Sequence, residues 1–430
     1  MKKHRRLNPT GYACSVLRQI CNFIPPHLVP MLAREHGVDE MARTFTPWSH
    51  SVSMMFAHLA RVFGLNEVCD SLHLNRGMFS TIRGAVAPNR NTLSHANRER
   101  NPAMAEALYW SVMDVLMGQS PAFARSRTRG RFVRRFKAAI HAIDSTTIQL
   151  IASCMDWAKH RRRKAAAKCH VRLHLQGGLP QCVIVDSAKD HDAMKARALC
   201  EGLQAGEIVV GDRAYVAFPF LADLTERGVQ WVMRVKKNLQ VRVVKRRPTA
   251  ADPNIVRDDE VILALPGTRE KYPMRFRRVI AWVEVDGRPK LMAFMTNNLD
   301  WSPRSVAELY RCRWDIEVFF KEIKQTVQLT DFLGHNASAV KWQVWMGLLV
   351  HLLLRYQAFL SRWSHSFSRL AAIVRAALWK RWHLGELLAG YGTAGGRFRC
   401  LGPPEQGLLP GFGEHTHVPV GQPNFVLANA

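Results

Sequence analysis

Apolar positions fall into distinct regimes along the 430-residue chain. Over roughly the first 120 residues they recur at helical spacing. In PWSHSVSMMFAHLARVFGL, Val52, Met55, Phe56, Leu59, Val62 and Phe63 share one side of a helix. Pro47 suits its first turn, Gly64 its end, and Asn66 the start of a short second helix. A third begins near Asn91 or Thr92. Further on the period shortens. AAIHAIDSTTIQL carries a β-branched run, and KCHVRLHLQ alternates apolar with polar. Gly177-Gly178 marks a hairpin turn into GGLPQCVIVDSA. A helix around Asp192 to Leu203, the strand GEIVVGD, a helix to about Arg227 and the strand VQWVMRVK complete an expected order β-β-β-α-β-α-β. Residues 236–298 are strand-rich, with a hairpin at Asp286-Gly287. Helical spacing returns from residue 340 to about 390, and a Gly/Pro-rich tail follows.

One stretch concentrates charge beside apolar residues. Tyr310–Lys324, YRCRWDIEVFFKEIK, lacks Pro and Gly and follows Ser302-Pro303, a cap and first-turn pair, so it reads as one helix. At about 100° per residue, Tyr310, Arg313, Glu317 and Lys324 share an arc of roughly 60°. Leu309, Cys312, Ile316, Phe320 and Ile323 form the adjacent apolar stripe, while Asp315 and Glu322 point toward water. Taken alone, Arg313 and Glu317 make an ordinary surface ion pair.

Charge narrows the class of partner. The net charge is +27 and the pI near 10.3. Residues 121–175 hold 14 Lys/Arg against Asp144 and Asp156. Such an excess calls for a polyanion, and nucleic acid is the expected one. The longest apolar run, Trp342 to Leu354, is interrupted by Gln343 and His351 and is too short to span a membrane. Nine scattered cysteines without a C-x2-C pair suit a reducing cytoplasm and give neither a disulfide framework nor a zinc site.

Two aspartates complete a constellation. Asp144 lies inside the apolar strand AIDST, where a lone carboxylate is costly unless paired or metal-bound. Asp212 ends the strand GEIVVGD, where sheet proteins place ligand-binding groups. With Glu317 they offer three oxygen donors, which suit two Mg²⁺ (or Mn²⁺) ions. Asp186, Asp190, His191 and Asp192 are competing ligands.

The pattern Y-x2-R-x3-E-x6-K over residues 310–324, together with AIDST and GDRAY, resembles the insertion-sequence-4 family of DDE transposases. Ala214 stands where that family often has Gly. The resemblance implies Asp144, Asp212 and Glu317 as catalytic metal ligands, 68 and 105 residues apart. It implies Tyr310, Arg313 and Lys324 as contacts to the DNA end. It also implies a ribonuclease-H-like α/β core with a strand-rich insertion behind an all-helical N-terminal domain. The corresponding divisions are 1–125 (helical, DNA-binding), 126–235 (first part of the core), 236–300 (insertion), 301–390 (glutamate helix and C-terminal helices) and 391–430 (flexible tail). The layout SLxxxRGxF…TLSHANxER looks like that family's N-terminal region, and Ser94, His95, Asn97, Arg98 and Arg100 are its candidate DNA contacts. Trp282 is a candidate to stack on an unpaired base, although a strand Trp is more often core. The expected activity is metal-dependent cut-and-paste transposition of double-stranded DNA at inverted-repeat ends and target DNA, by a homodimer in the bacterial cytoplasm. The rivals are a nuclease without strand transfer and an inactive DNA-binding derivative.

Overall fold

A computed structural model describes residues 11–390, apart from 39, 41, 63, 126–135, 151–158, 162–163, 188–191, 237–238, 250–251, 286 and 327–332. Phe63, the second half of the linker expected over residues 121–130, Asp190, His191, Asp286 and the tail therefore lie outside the described residues.

The N-terminal part is helical, as its periodicity predicts: α1 Val16–Cys21, α2 Leu28–Glu35, α3 Pro47–Ala60, α4 Leu65–Leu74, α5 Arg76–Ser80, α6 Arg90–Glu99 and α7 Ala103–Gln119. Thr46 caps α3 by accepting from the Ser49 N–H, and Pro47 opens it. This helix stops at Ala60, not Gly64, because Arg61 adopts a left-handed conformation (φ 60°) that ends the ladder. Gly64 instead precedes α4, where the Glu67 carboxylate accepts from its N–H. Helix α3 is buried almost all round; Ser51 and Ser53 bond back to the Pro47 and Ser49 carbonyls, so their hydroxyls are satisfied inside the core.

The sheet follows: β1 Ile140–Leu150, β2 Lys159–Arg161, β3 Lys164–His174, β4 Leu179–Ser187, β5 Ile208–Gly211 and β6 Gln230–Arg234, with α8 Asp192–Leu199 and α9 Phe218–Glu226 between the later strands. β3 pairs antiparallel with both β1 and β4; β5 joins β1, and β6 joins β5, in parallel. Three antiparallel strands with two parallel additions is the expected order, and the short β2 is the one extra piece. The strand-rich block, β7 Val241–Arg246, β8 Ile255–Leu263, α10 Pro266–Lys271, β9 Phe276–Val285 and β10 Arg288–Thr296, is not a separate layer. β10 pairs antiparallel with β6, so ten strands form one sheet.

Strand alternation divides the packing. Ala142, Val210 and Val232 face a large core; Ile143, Val209, Trp231 and Met233 face a smaller one closed by α8 and α9. The large core also receives α11 Pro303–Cys312, α12 Trp314–Thr326, α13 Ala337–Leu360, α14 Phe367–Ala377 and α15 Leu384–Gly390. Helix α13 packs on α3, α6 and α7, so N-terminal and C-terminal helices share this core. At 24 residues α13 is longer than the apolar run suggests and long enough to cross a membrane, but 83% of its apolar window is buried inside the protein.

Candidate active site

Ile143 lies opposite Gly211 where β1 and β5 run in parallel, so the next residues, Asp144 inside β1 and Asp212 just past the end of β5, come to one level. Gly211 is needed for this close approach: a Cβ there would come within 2.7 Å of the Met233 sulfur and 3.1 Å of Ile143 Cγ1. Because Ile143 faces the small core, Asp144 points to the other side of the sheet, toward α11 and α12.

Ser302 caps α11 by accepting from the Ser305 N–H, and Pro303 is its first residue. The single helix expected over 310–324 is two. Arg313 stands between α11 and α12, and its N–H bonds the Tyr310 carbonyl three residues back, which tightens the chain there. The apolar stripe is still as expected: Leu309, Ile316, Phe320 and Ile323 are buried and Cys312 is half-buried. Glu322 does not face water. Its carboxylate meets Arg355 at 2.5 Å and His351 Nε2 at 3.1 Å on α13, because a second helix packs on that side.

Arg313 is the hinge of the cluster. Its guanidinium, 8% exposed, donates to Asp144 Oδ2 at 2.7 Å and Glu317 Oε1 at 2.5 Å. The Tyr310 hydroxyl, buried and packed on Phe294, donates to Asp212 Oδ1 at 3.3 Å; Arg234 lies 3.8 Å from the same oxygen. Lys324 Nζ bonds the Thr147 carbonyl at 2.8 Å. In this arrangement Arg313 and Tyr310 turn to the carboxylates and not outward. Burial pushes the Asp144 carboxyl up to about 6; Arg313 and the Ser145 N–H pull against it, while the neighbouring Asp212 and Glu317 push it further up. Burial alone would lower the Arg313 guanidinium, but Tyr310, Asp144 and Glu317 outweigh it and hold it above its ordinary value.

Among the described residues no three His, Cys, Asp or Glu side chains are grouped closely enough to hold a metal ion as they stand. Arg313 separates two of the three carboxylates. The donor chemistry itself suits a hard divalent cation. The donors are all oxygen, the side chains are 21, 29 and 39% exposed for Asp144, Asp212 and Glu317, and two carboxylates burden a third, with Arg313 and Arg234 against them among the described residues.

The two described competing ligands, Asp186 and Asp192, are engaged elsewhere. Asp186 pairs with Lys195 at 2.7 Å. Asp192 accepts from Ser145 Oγ at 2.7 Å and Lys168 Nζ at 2.8 Å. Of the N-terminal candidates, Asn97 is buried against His50 Nε2 at 2.8 Å, and Arg100 donates to the Phe45 and Thr46 carbonyls. Both hold helices together; Ser94 is half-buried, and His95 and Arg98 are exposed. Trp282 is 45% exposed and shares a cleft with Arg304 and Arg311, so it is not core. Arg234 and Ser145 had no signal in the sequence: each acts across strands, and only the register reveals it.

The profile described as "Transposase DDE domain" matches residues 135–353, and a domain of unknown function (DUF4372) matches residues 13–79. A Sinorhizobium fredii protein named as a transposase, y4zB, is 28% identical over 299 residues, 69% of this chain and 79% of that one. A Geobacillus stearothermophilus protein named as a transposase for insertion sequence element IS5377 is 27% identical over 52% of this chain and 57% of its own. Transposase InsG for insertion sequence element IS4 of Escherichia coli is 23% identical over 43% and 42%. The chain belongs to the DDE transposase family. Its activity is that of a transposase, the cleavage and strand transfer of DNA.

Proposed function

We propose that the chain performs cut-and-paste transposition from inverted-repeat ends, with Asp144, Asp212 and Glu317 as its catalytic carboxylates. The observation that carries this reading is the shared level of Asp144 and Asp212 on adjacent parallel strands, with Glu317 facing them across Arg313. These three residues would hold two Mg²⁺ or Mn²⁺ ions, which supply positive charge at the scissile phosphate and lower the pKa of water.

The remaining residues position DNA. Arg313 exchanges its carboxylate partners for phosphate oxygens as DNA arrives, which uncovers the three carboxylates together. Lys324, at the edge of the same face, contacts a flanking phosphate, and Tyr310 keeps Asp212 oriented. A water oxygen bonds phosphorus as the P–O3′ bond breaks, leaving a 3′-hydroxyl and a 5′-phosphate. That hydroxyl then bonds a target phosphorus as the target's own P–O3′ bond breaks. No side chain becomes covalently attached to DNA, so no Ser or Tyr nucleophile is required. Trp282 stacks on a base unpaired at the distorted end. Two ends must be held at once, so the working form is a homodimer, acting in the bacterial cytoplasm. The core around the carboxylates is ribonuclease-H-like and belongs to the insertion-sequence-4 branch.

The test offers duplexes carrying the element's inverted-repeat ends in Mg²⁺, uncut to read cleavage and pre-cut at the 3′ end to read strand transfer. Joined product is expected. Hydrolysis without joining identifies a nuclease, and binding without either identifies an inactive derivative.

A further inference from the structure

Behind the sheet, on the face away from Arg313, lies a polar cluster that the proposed reaction leaves unused. Ser145, next in β1 after Asp144, points to the small-core side, where α8 packs on β1, β3 and β4. Its hydroxyl donates to Asp192 Oδ1 at 2.7 Å. That carboxylate, 18% exposed, is the first residue of α8 and is also held by Lys168 Nζ at 2.8 Å and faced by His170 Nδ1 at 3.5 Å. Lys168 and His170 lie two residues apart on β3, and His170 is the register partner of Ser145. On the other side of the strand the Ser145 backbone N–H donates to Asp144 Oδ1 at 2.8 Å. One residue therefore ties Asp192 behind the sheet to Asp144 in front of it. Asp144 Oδ2 is left to face Arg313.

We infer that Asp192 is a positioning residue for Asp144, acting through Ser145: the Asp192–Ser145 bond fixes β1 at the residue whose N–H orients the Asp144 carboxylate. The inference rests on Asp144 being a metal ligand, as proposed above. An ordinary alternative exists for Asp192, an acidic residue placed favourably at a helix start. That role would stabilise α8 without passing through Ser145. The structure separates the two because Lys168 already neutralises Asp192 from β3, while the Ser145 hydroxyl spends its donor on Asp192 and not on the strand.

The experiment measures Mn²⁺ binding to the full chain by the free-ion electron paramagnetic resonance signal, with thermal melts alongside. Wild type is compared with S145A, S145T, D192A, D192N and S145A/D192A. Removing such outer partners of metal ligands typically weakens metal affinity by about 10–100-fold. S145A and D192A should each raise the Mn²⁺ Kd by about tenfold, S145T should retain wild-type affinity, and the double variant should bind no more weakly than S145A alone. Wild-type affinity in folded S145A and D192A overturns the inference, as does a double variant whose loss is the product of the single losses. If D192A does not fold, S145A against S145T carries the comparison, with D192N, whose amide oxygen still accepts from Ser145, expected to stay near wild type. A wild-type protein that binds no Mn²⁺ instead overturns the proposed carboxylate site, and this inference with it.

Discussion

Two clusters of buried charge on the same sheet are organised in opposite ways. In the strand-rich block two carboxylates of β8 meet two guanidinium groups of β9 one to one: Arg277 with Asp258, and Arg278 with its register partner Asp259, each at 2.6 Å. The adjoining Glu260 lies 3.4 Å from Arg247 and 4.0 Å from Arg275, so no carboxylate there lacks a cation. Around Asp144, inside β1, the count does not match. Arg313 is divided between Asp144 and Glu317, and among the described residues Asp212 meets a distant Arg234 and a tyrosine hydroxyl. The first cluster is complete and serves the fold. The second carries surplus negative charge in a half-buried place, which costs stability unless something positive arrives.

Variants should separate the two. The largest effect is expected at the unbalanced cluster and in activity: Glu317→Gln or Asp212→Asn should lower end cleavage by about 10,000-fold, about 5.5 kcal/mol in the barrier, with a melting temperature close to wild type. A gel assay on labelled ends reads the first and a thermal melt the second. Next comes the balanced cluster. Arg277→Ala leaves Asp258 buried without its partner and should destabilise the protein by about 3–5 kcal/mol in a urea titration. Loss of cleavage there should track loss of fold.

A smaller effect has the opposite sign. The Asp144 carboxyl is raised to about 6 from an ordinary 3.8, so the folded state binds this proton more tightly than the unfolded chain does. Its contribution to stability is therefore present at low pH and lost as pH rises from about 4 to 6. Asp144→Asn, neutral throughout, should be more stable than wild type by about 1–3 kcal/mol at pH 7.5 in a chelator. The difference should vanish near pH 4. A wild-type protein equally stable at both ends of that range contradicts the description of the cluster as strained. Least of all, Lys324→Ala should leave stability almost unchanged and reduce the slope of log DNA affinity against log salt by about 1, read by fluorescence anisotropy.

Much of this was visible along the chain. Asp144 and Asp212 stand out because each interrupts or ends an apolar strand, and helical spacing alone places Glu317 with Arg313 and Lys324. The strand order also follows from periodicity. What periodicity cannot supply is the partner on the far side. A helical wheel assigns Glu322 to water because it knows nothing of His351 and Arg355. It presents Arg313 as an outward cation because the depth of the groove between α12 and β1 is a tertiary property. Asn97 and Arg100 look like surface polar residues until α3 and the chain before it close over them. Likewise, a strand-rich stretch between two core segments looks detachable, and only the pairing of β10 with β6 shows that it prolongs the same sheet.

The meeting of the chain's early and late segments has a consequence for when this protein comes into being. Tyr12, Val16 and Leu17 donate backbone hydrogen bonds to the carbonyls of Arg381, Lys380 and Leu378, and Gln19 reaches the carbonyl of Trp382. The opening helices thus wait for residues more than 350 positions downstream before their bonds close. A ribosome that stalls or shifts frame before that point releases a chain whose first layer has nothing to close against.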